Sequence, residues 1–411
     1  MTTKEIQPEY DVVVVGAGPG GVVMAYLLAR SGVKVALLER HVQLDREFRG
    51  YFFQPLVVKL LDDMGLLAGL LEEEHCRTSS FRFIDRKKEL FAVNFSELPP
   101  PYNYGLLIHQ PLFLQYMIDQ ASKFATFAYY NGTRAAGLLR EGEAVAGIRA
   151  VRGQEEWAVR SRLTIGADGR FSTIRKLSGT RMEQEKHALD FLWFDVPGQP
   201  GGPSGDIRIQ IEREGMLIYT PKGPDLTQVG WVIPKGTYAD IRKRGLDVLR
   251  RQMVAVDPQI GPLLSHLRDF RQVSVLDIQV AMAKEWVRDG LMLIGDAAHT
   301  ASPFSGQGNS LAIQDAVEAH DVIARALKQP GGVIPADRLQ AFEQARRGPV
   351  GKMMRIQRMQ AKMIAFDHPL FVRLRRTMLP LLRRTPIFKK MRDTIAMGAA
   401  PIRVRHEHFR E

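Results

Sequence analysis

Apolar positions along the first forty residues fall into two unbroken runs separated by a glycine-rich turn. Val12–Val15 are four β-branched residues in a row, which predicts a strand buried on both faces, as in a parallel sheet. After "GAGPGG", the run "VVMAYLLAR" predicts an apolar helix ending near Arg30, and "SGVKVALLE" a turn and a second buried strand ending at Glu39. Two later short apolar strands each run into small residues and an aspartate. One is "LTIGADG", from Leu163 to Gly169, followed by a helix carrying Arg170 and Arg175. The other is "LMLIGDAAH", from Leu291 to His299. The second leads through a thin loop, "TASPFSGQGNS", into "LAIQDAVEAHDVIARALK", whose helical spacing predicts a helix beginning near Ser310. Between Ala188 and Val280 the period changes. "FLWFDVPG", "GDIRIQIEREGMLIYTPKG" and "TQVGWVIPKG" alternate apolar with polar residues between Pro/Gly turns, which predicts antiparallel sheet. From Met353 onward Met, Leu, Ile and Phe mix with Arg and Lys, and Pro369, Pro380 and Pro386 are expected to cut the tail into short helices.

Composition narrows the class. With 411 residues, 45% hydrophobic and 25% charged, the chain suits one large or two intimate domains. Its single cysteine, Cys76, excludes an internal disulfide and a CxxC redox pair, and suits a reducing compartment. The opening "MTTKEIQPEY" has no apolar signal core, and no window nears 18 uninterrupted apolar residues, so a cytoplasmic protein without a spanning helix is expected. The net charge of +12 is uneven: Gly331–Glu411 holds 18 Lys+Arg against 6 Asp+Glu, which is the whole excess. Such a tail suits packing with its charges in water, or an anionic membrane surface. No zinc spacing or RNA-binding signature accompanies it, which disfavours nucleic acid.

The chemistry begins at Gly16, Gly18 and Gly21, a GxGxxG between strand and helix. Gly16 makes the tight turn, Gly18 lets backbone approach a pyrophosphate, and Gly21 lets the helix pack closely. Glu39, at the end of the second strand, suits ribose hydroxyls. This context specifies a dinucleotide but does not separate FAD from NAD. Asp168 and Asp296, at two further strand ends, can each act as a helix or loop cap.

The order of GxGxxG, DG and GD motifs, from about Tyr10 to Leu327, resembles the single-component FAD-dependent monooxygenases of the para-hydroxybenzoate hydroxylase type, which include ubiquinone-biosynthesis-type hydroxylases. The resemblance implies an α/β fold: a Rossmann-like FAD-binding domain, an interleaved antiparallel-sheet substrate domain and C-terminal helices. Expected boundaries are 8–75, 100–180 and 276–330 for the FAD domain, 76–99 and 181–275 for the substrate sheet, and 331–411 for the basic tail. On FAD it places Gly16, Gly18, Gly21 and Glu39 at the ADP half and Arg40 on the cofactor, with Arg49 reaching the pyrophosphate. It also places Gln110 near the ribityl chain, Ala135 on the cofactor, Asp168 near FAD and the pyridine nucleotide, and Asp296 on the ribitol. Pro303, Gly306, Gln307, Gly308, Asn309 and Ser310 match the loop beside the isoalloxazine. Thin side chains there let helix-start N–H groups stabilise the charge of reduced flavin. Asn309 stands one position earlier than in many relatives, so backbone contacts are the expectation at that step.

For the substrate, Phe53, Arg208, Gln210, Met216, Tyr219, Trp231 and Phe304 are the candidate lining residues, with Phe52 also within reach. The cavity reads as apolar and aromatic, with no Arg or Lys pair awaiting a carboxylate. The resemblance implies hydroxylation of an aromatic or quinone-like, lipophilic molecule with NAD(P)H and O2 through a flavin C4a-hydroperoxide. NADPH or NADH would visit transiently, since there is no second GxGxxG. No metal and no catalytic side chain is nominated, and His299 reads as scaffold. Lipophilic substrates would suit a tail resting on the inner face of a membrane. The alternatives are an isoprenoid double-bond reductase or halogenase on the same scaffold, and a non-catalytic flavin-binding, membrane-docking protein.

Overall fold

The computed structural model describes residues 6–44, 52–85, 88–200, 205–212, 215–223, 225–365, 376–381, 383 and 385–410. The β-branched run forms the strand Glu9–Val15 at the centre of a largely parallel sheet. Its main path is Val287–Arg288, Leu291–Leu293, Glu155–Gly166, Glu9–Val15, Val35–Leu38 and Phe127–Tyr130, parallel except for the first strand, and off this path Ala144–Arg152 pairs antiparallel with both Glu155–Gly166 and Arg134–Glu141. The register sets Val15 beside both Gly166 and Leu38, and Gly166 beside Leu293. Four strands therefore end level. Gly16, Glu39, Asp168 and Asp296 all follow at that edge, the carboxyl end where open parallel sheets bind ligands.

Helix Pro19–Arg30 packs against Gln110–Ala121 and against Gly308–Leu327. The last begins at Gly308, two residues before the position expected from its apolar period. The helix after the DG motif is only Thr173–Leu177, so it includes Arg175 and leaves Arg170 in the loop before it.

A seven-stranded sheet stands apart from the first. Its order is Ser274–Leu276, Leu189–Pro197, Leu226–Pro234, Gly215–Pro221, Ile207–Glu212, Ser80–Asp85 and Lys88–Asn94. All its pairs are antiparallel except Ile207–Glu212 with Ser80–Asp85. Both faces of this sheet are covered. One packs Leu192, Phe194, Leu217, Val229 and Trp231 against Ile241, Leu249, Met253 and Ile260, a second core lying under helices Tyr238–Arg244 and Leu246–Val256. The other face carries Phe81, Phe191, Trp193, Ile207 and Met216 into the main core.

The described tail residues fall into separate helices, as expected, but the first of them begins well ahead of Met353. Gln340–Ala365 is one helix of 26 residues that runs through Pro349. A proline inside a helix costs about 3 kcal/mol. Val350, Met353 and Met354, all buried just beyond it, each contribute roughly 1.5–3 kcal/mol, which is enough to outweigh that cost. Pro369 lies outside the described residues, and Pro380 sits within helical residues 376–381. Pro386 opens the helix Pro386–Met397, capped by Thr385.

Candidate active site

A cavity lies at the carboxyl edge of the parallel sheet. Gly16, Gly18 and Gly21 line it with Glu39, Arg40 and Gln110. Ala135, Asp168, Asp296, Gly308 and Asn309 complete the expected residues on its wall. Pro303 and Gly306 line a neighbouring cavity instead, and Gln307 and Ser310, both fully buried, line neither. Arg49 lies outside the described residues.

The glycines fit a cradle for a phosphate. Gly16 has φ +106°, and a Cβ there would sit 2.5 Å from the Ala167 carbonyl oxygen. Gly18 is different: its added Cβ meets only that oxygen, at 4.0 Å, so open space faces the cavity. Helix Pro19–Arg30 has no side-chain cap at its start, and neither has Gly308–Leu327. Two helix N-termini without side-chain caps thus face one cavity, the arrangement that favours anionic ligand groups.

The acids play separate parts. Glu39 accepts the Ala17 N–H at 3.0 Å and the His41 N–H at 3.0 Å, which fixes its carboxylate on the wall. Asp168 is a cap: it accepts the Ser172 hydroxyl and the N–H groups of Thr173 and Ile174 at 2.6 and 3.1 Å. Burial raises its pKa above the ordinary carboxylate value, against the lowering effect of those bonds. The Asp296 carboxylate makes no hydrogen bond among the described residues. Between these loops lies Arg175, which sequence reading placed only as a helix residue. It donates to the carbonyls of Ala297 at 2.9 Å and Arg170 at 2.8 Å, tying the two aspartate loops together. Burial lowers the Arg175 pKa, with Asp168 and Asp296 opposing.

Behind the GD loop is a buried charge network. Asp315 accepts the Gly295 N–H at 2.9 Å, meets His299 Nε2 at 2.6 Å, and accepts Arg346 Nε at 2.8 Å. Burial pushes the Asp315 carboxyl upward, but His299 and Arg346 more than reverse this and hold it below the usual range. His299 lines neither cavity, so it serves as scaffold for this loop.

The thin loop is held by amides from distant segments. Gln54 donates to the Ser305 carbonyl at 2.6 Å, Gln357 to those of Ser302 and Phe304 at 2.8 Å each, and Gln307 to that of Ile395 at 2.9 Å. Ser305 adopts φ +66° and donates its hydroxyl to Gln360 at 2.6 Å. Gln54, Gln357 and Gln360 carried no local sequence signal, because their partners lie some 50 to 250 residues away.

The second cavity lies between the seven-stranded sheet and this loop. Phe52, Met216 and Phe304 line it. Five expected lining residues do not. Side chains alternate along a strand, and on Ile207–Glu212 the cavity receives Ile207 and Ile209, so Arg208 and Gln210 point the other way. Arg208 lies 5.2 Å from the Tyr219 ring centre, and Tyr219 donates to Asp257 at 2.9 Å on the same far side. Trp231 belongs to the second core. Phe53 points away from Phe52 and packs on Phe113 at 4.7 Å. Lining residues that the sequence did not single out include Phe81, Trp193, Thr220, Gln228, and from the tail Gln360 and Ile395. The two cavities share Arg170, Gly308 and Asn309 on their walls.

Among the described residues no helix is long and apolar enough to cross a membrane, and no cluster has the side chains to hold a metal ion. The family model described as "FAD binding domain" matches residues 9–356. The chain is 35% identical to the 6-methylpretetramide 4-monooxygenase of Streptomyces rimosus, over 98% of this chain and 95% of that protein. It is 25% identical to a digeranylgeranylglycerophospholipid reductase of Methanocella arvoryzae, over 85% and 86% respectively. The crystal structure of p-nitrophenol 4-monooxygenase from Pseudomonas putida shares the fold, with a TM-score of 0.79 at 17% identity over 96% of this chain and all of that one. A glycine cradle continuous with an aromatic-lined cavity, the match to the FAD binding domain model and full-length likeness to a monooxygenase make this chain a member of the FAD-dependent monooxygenase family of the para-hydroxybenzoate hydroxylase type.

Proposed function

We propose that the protein hydroxylates an uncharged aromatic compound, of the class represented by the 6-methylpretetramide in its relative's name, with NAD(P)H as reductant and O2 as oxidant. The observation that carries this reading is the shared wall. Gly308 and Asn309 face both cavities, so a ring in the second meets whatever the helix start holds in the first. FAD, when bound, supplies the acceptance of hydride from NAD(P)H and the activation of O2. The rest falls to this chain. The N–H groups of the Gly18 turn and helix Pro19–Arg30 would hold the pyrophosphate, and Glu39 the ribose of the ADP half. Asp296, its carboxylate free, is the acceptor for ribityl hydroxyls. N–H groups at the start of Gly308–Leu327 favour negative charge at the flavin's pyrimidine edge.

Phe52, Phe81, Trp193 and Phe304 give the ring an apolar seat that excludes water. Arg170 is the only charged side chain on that cavity's wall among the described residues, and it donates to the Asp277 carbonyl at 2.7 Å. A neutral substrate suits such a wall better than a carboxylate. For the basic tail, Val350, Met353, Ile395 and Ala396 pack on the core, while Met359, Met378, Leu381 and Ile387 stay exposed, so packing is the reading the burial supports for part of it.

The test is aerobic NAD(P)H oxidation by the purified yellow protein with phenols, quinones, quinolones and fused polycyclic phenols, tracking peroxide alongside. Acceleration by one class with little peroxide is the expected result. Failure of both nucleotides to reduce the flavin with every compound would refute the reading and turn attention to reduction of isoprenoid double bonds.

A further inference from the structure

The cavity face of the seven-stranded sheet is apolar at almost every position that reaches the cavity. Phe81, Phe83, Trp193, Ile209, Met216 and Ile218 are typical of it. Two polar side chains interrupt this face, and they are neighbours. Thr220 and Gln228 stand directly opposite one another on the antiparallel strands Gly215–Pro221 and Leu226–Pro234. Opposed residues on adjacent strands have Cβ atoms about 4.5–5.5 Å apart, so the hydroxyl and the amide form one polar spot. Both are deeply buried, Gln228 at 2% and Thr220 at 8% exposure. Gln228 Nε2 is enclosed and has no hydrogen-bond partner. Neither side chain bonds to any described residue. An unbonded amide in an apolar wall costs on the order of 1–3 kcal/mol, so its presence calls for a partner that the folded chain does not supply.

We infer that Thr220 and Gln228 form a specificity-determining subsite that hydrogen-bonds an oxygen substituent of the aromatic substrate, a ring hydroxyl or ring carbonyl, and so fixes which ring edge faces the cofactor. The inference rests on the proposed use of this cavity and names the substrate class more finely. An amide both donates and accepts, and a hydroxyl does the same, so the pair matches a phenol or a quinone oxygen equally. Neither side chain of the pair carries the positive charge that a carboxylate would need. A site built to bond a substrate oxygen rejects the analogue that lacks it, because the buried groups are then left unpaired.

The experiment uses the FAD-loaded protein and two size-matched probes, 2-naphthol and 2-methylnaphthalene, titrated by the change in flavin absorption. The wild type is expected to bind 2-naphthol more tightly. Q228M, which keeps the volume and removes the amide, is expected to cut that preference about tenfold while leaving 2-methylnaphthalene binding within about twofold. T220V is expected to cut it less, and serves as the test if Q228M fails to retain FAD. With a turned-over phenol, loss of the subsite should spread the product over more ring positions, a change that a general loss of packing would not give without weakening both probes alike. An unchanged naphthol preference in a variant with native melting overturns the inference, as does a wild type that binds both probes equally. If neither probe perturbs the flavin of the wild type, the aromatic reading of the cavity falls and the subsite with it.

Discussion

Asp315→Asn isolates the charge that holds the GD loop. The substitution preserves volume, so no cavity is opened, and it removes one negative charge from a site where the Asp315 side chain is 0% and the Arg346 side chain 2% exposed. Arg346 would keep its bonds to Gln314 and Leu311 but lose its only close anion among the described residues. Leaving one partner of a buried pair uncompensated costs roughly 3–5 kcal/mol, far above the roughly 0–1 kcal/mol of an exposed pair. Arg346→Met should also destabilise, because Asp315 then keeps only His299 and the Gly295 N–H. The double variant restores neutrality, so its loss should fall short of the sum of the single losses by at least about 1.5 kcal/mol. Urea unfolding followed by tryptophan fluorescence suits the measurement, since Trp286 lies 5.0 Å from the His299 ring and is fully buried. Flavin retention should fall in parallel in Asp315→Asn, because the Gly295 N–H anchor weakens. The pH dependence has a definite sign. Asp315 titrates below the ordinary carboxylate range in the folded chain, so its contribution is complete above that range and fades as the pH drops through it. The gap between wild type and Asp315→Asn should therefore narrow in acid. Additive losses within about 0.5 kcal/mol, or a cost below about 1 kcal/mol for Asp315→Asn, would refute the buried-pair account.

Two further tests separate folding from cofactor binding. Gly16→Ala places a Cβ against the Ala167 carbonyl at positive φ and should lower both the melting temperature and flavin content, whereas Gly18→Ala should keep the apoprotein's melting temperature and lose flavin affinity alone. His320, bonded to Ser31 Oγ at 2.8 Å and facing His408, has its pKa lowered by burial to about 4. The unfolded chain takes up this proton first, so roughly 3 kcal/mol of stability should be lost between pH 6.5 and 4, and His320→Gln should flatten that slope in acid denaturation.

The gathering of Gly16, Gly18, Gly21 and Glu39 on one cavity wall is legible in the sequence because its determinants are local. Gly16, Gly18, Gly21 and Glu39 sit within one strand–helix–strand unit, and the register that levels Val15, Leu38, Gly166 and Leu293 follows from unbroken apolar strands. The substrate half is legible only as a sheet. Alternation along Ile207–Glu212 separates two sets of side chains but does not say which set meets the cavity when both faces are covered. Arg208, Tyr219 and Trp231 looked like recognition residues because they are polar or aromatic, yet they fill the face under helices Tyr238–Arg244 and Leu246–Val256. Phe52 and Phe53 pose the same choice in two letters, since adjacent residues of a strand must diverge. Asp168 shows the converse: a motif residue whose carboxylate is wholly engaged as a cap, beside an Asp296 whose carboxylate stays available.

The tail's charge leaves open packing or an anionic surface, and its glutamines give a physical reason for the packed part. A loop thin enough to approach a flavin has few side chains to fix its own backbone, and Ser305 at φ +66° is a conformation worth of order 1–3 kcal/mol of strain. Something outside the loop has to hold it. Gln357 donates to two loop carbonyls, Gln360 takes the Ser305 hydroxyl, and the Ile395 carbonyl receives Gln307. Each net bond of this kind contributes about 0.5–1.5 kcal/mol, so together they match the strain they oppose. The helix Gln340–Ala365 therefore forms a back wall that fixes the loop, while Gln360 and Ile395 line the second cavity beside it.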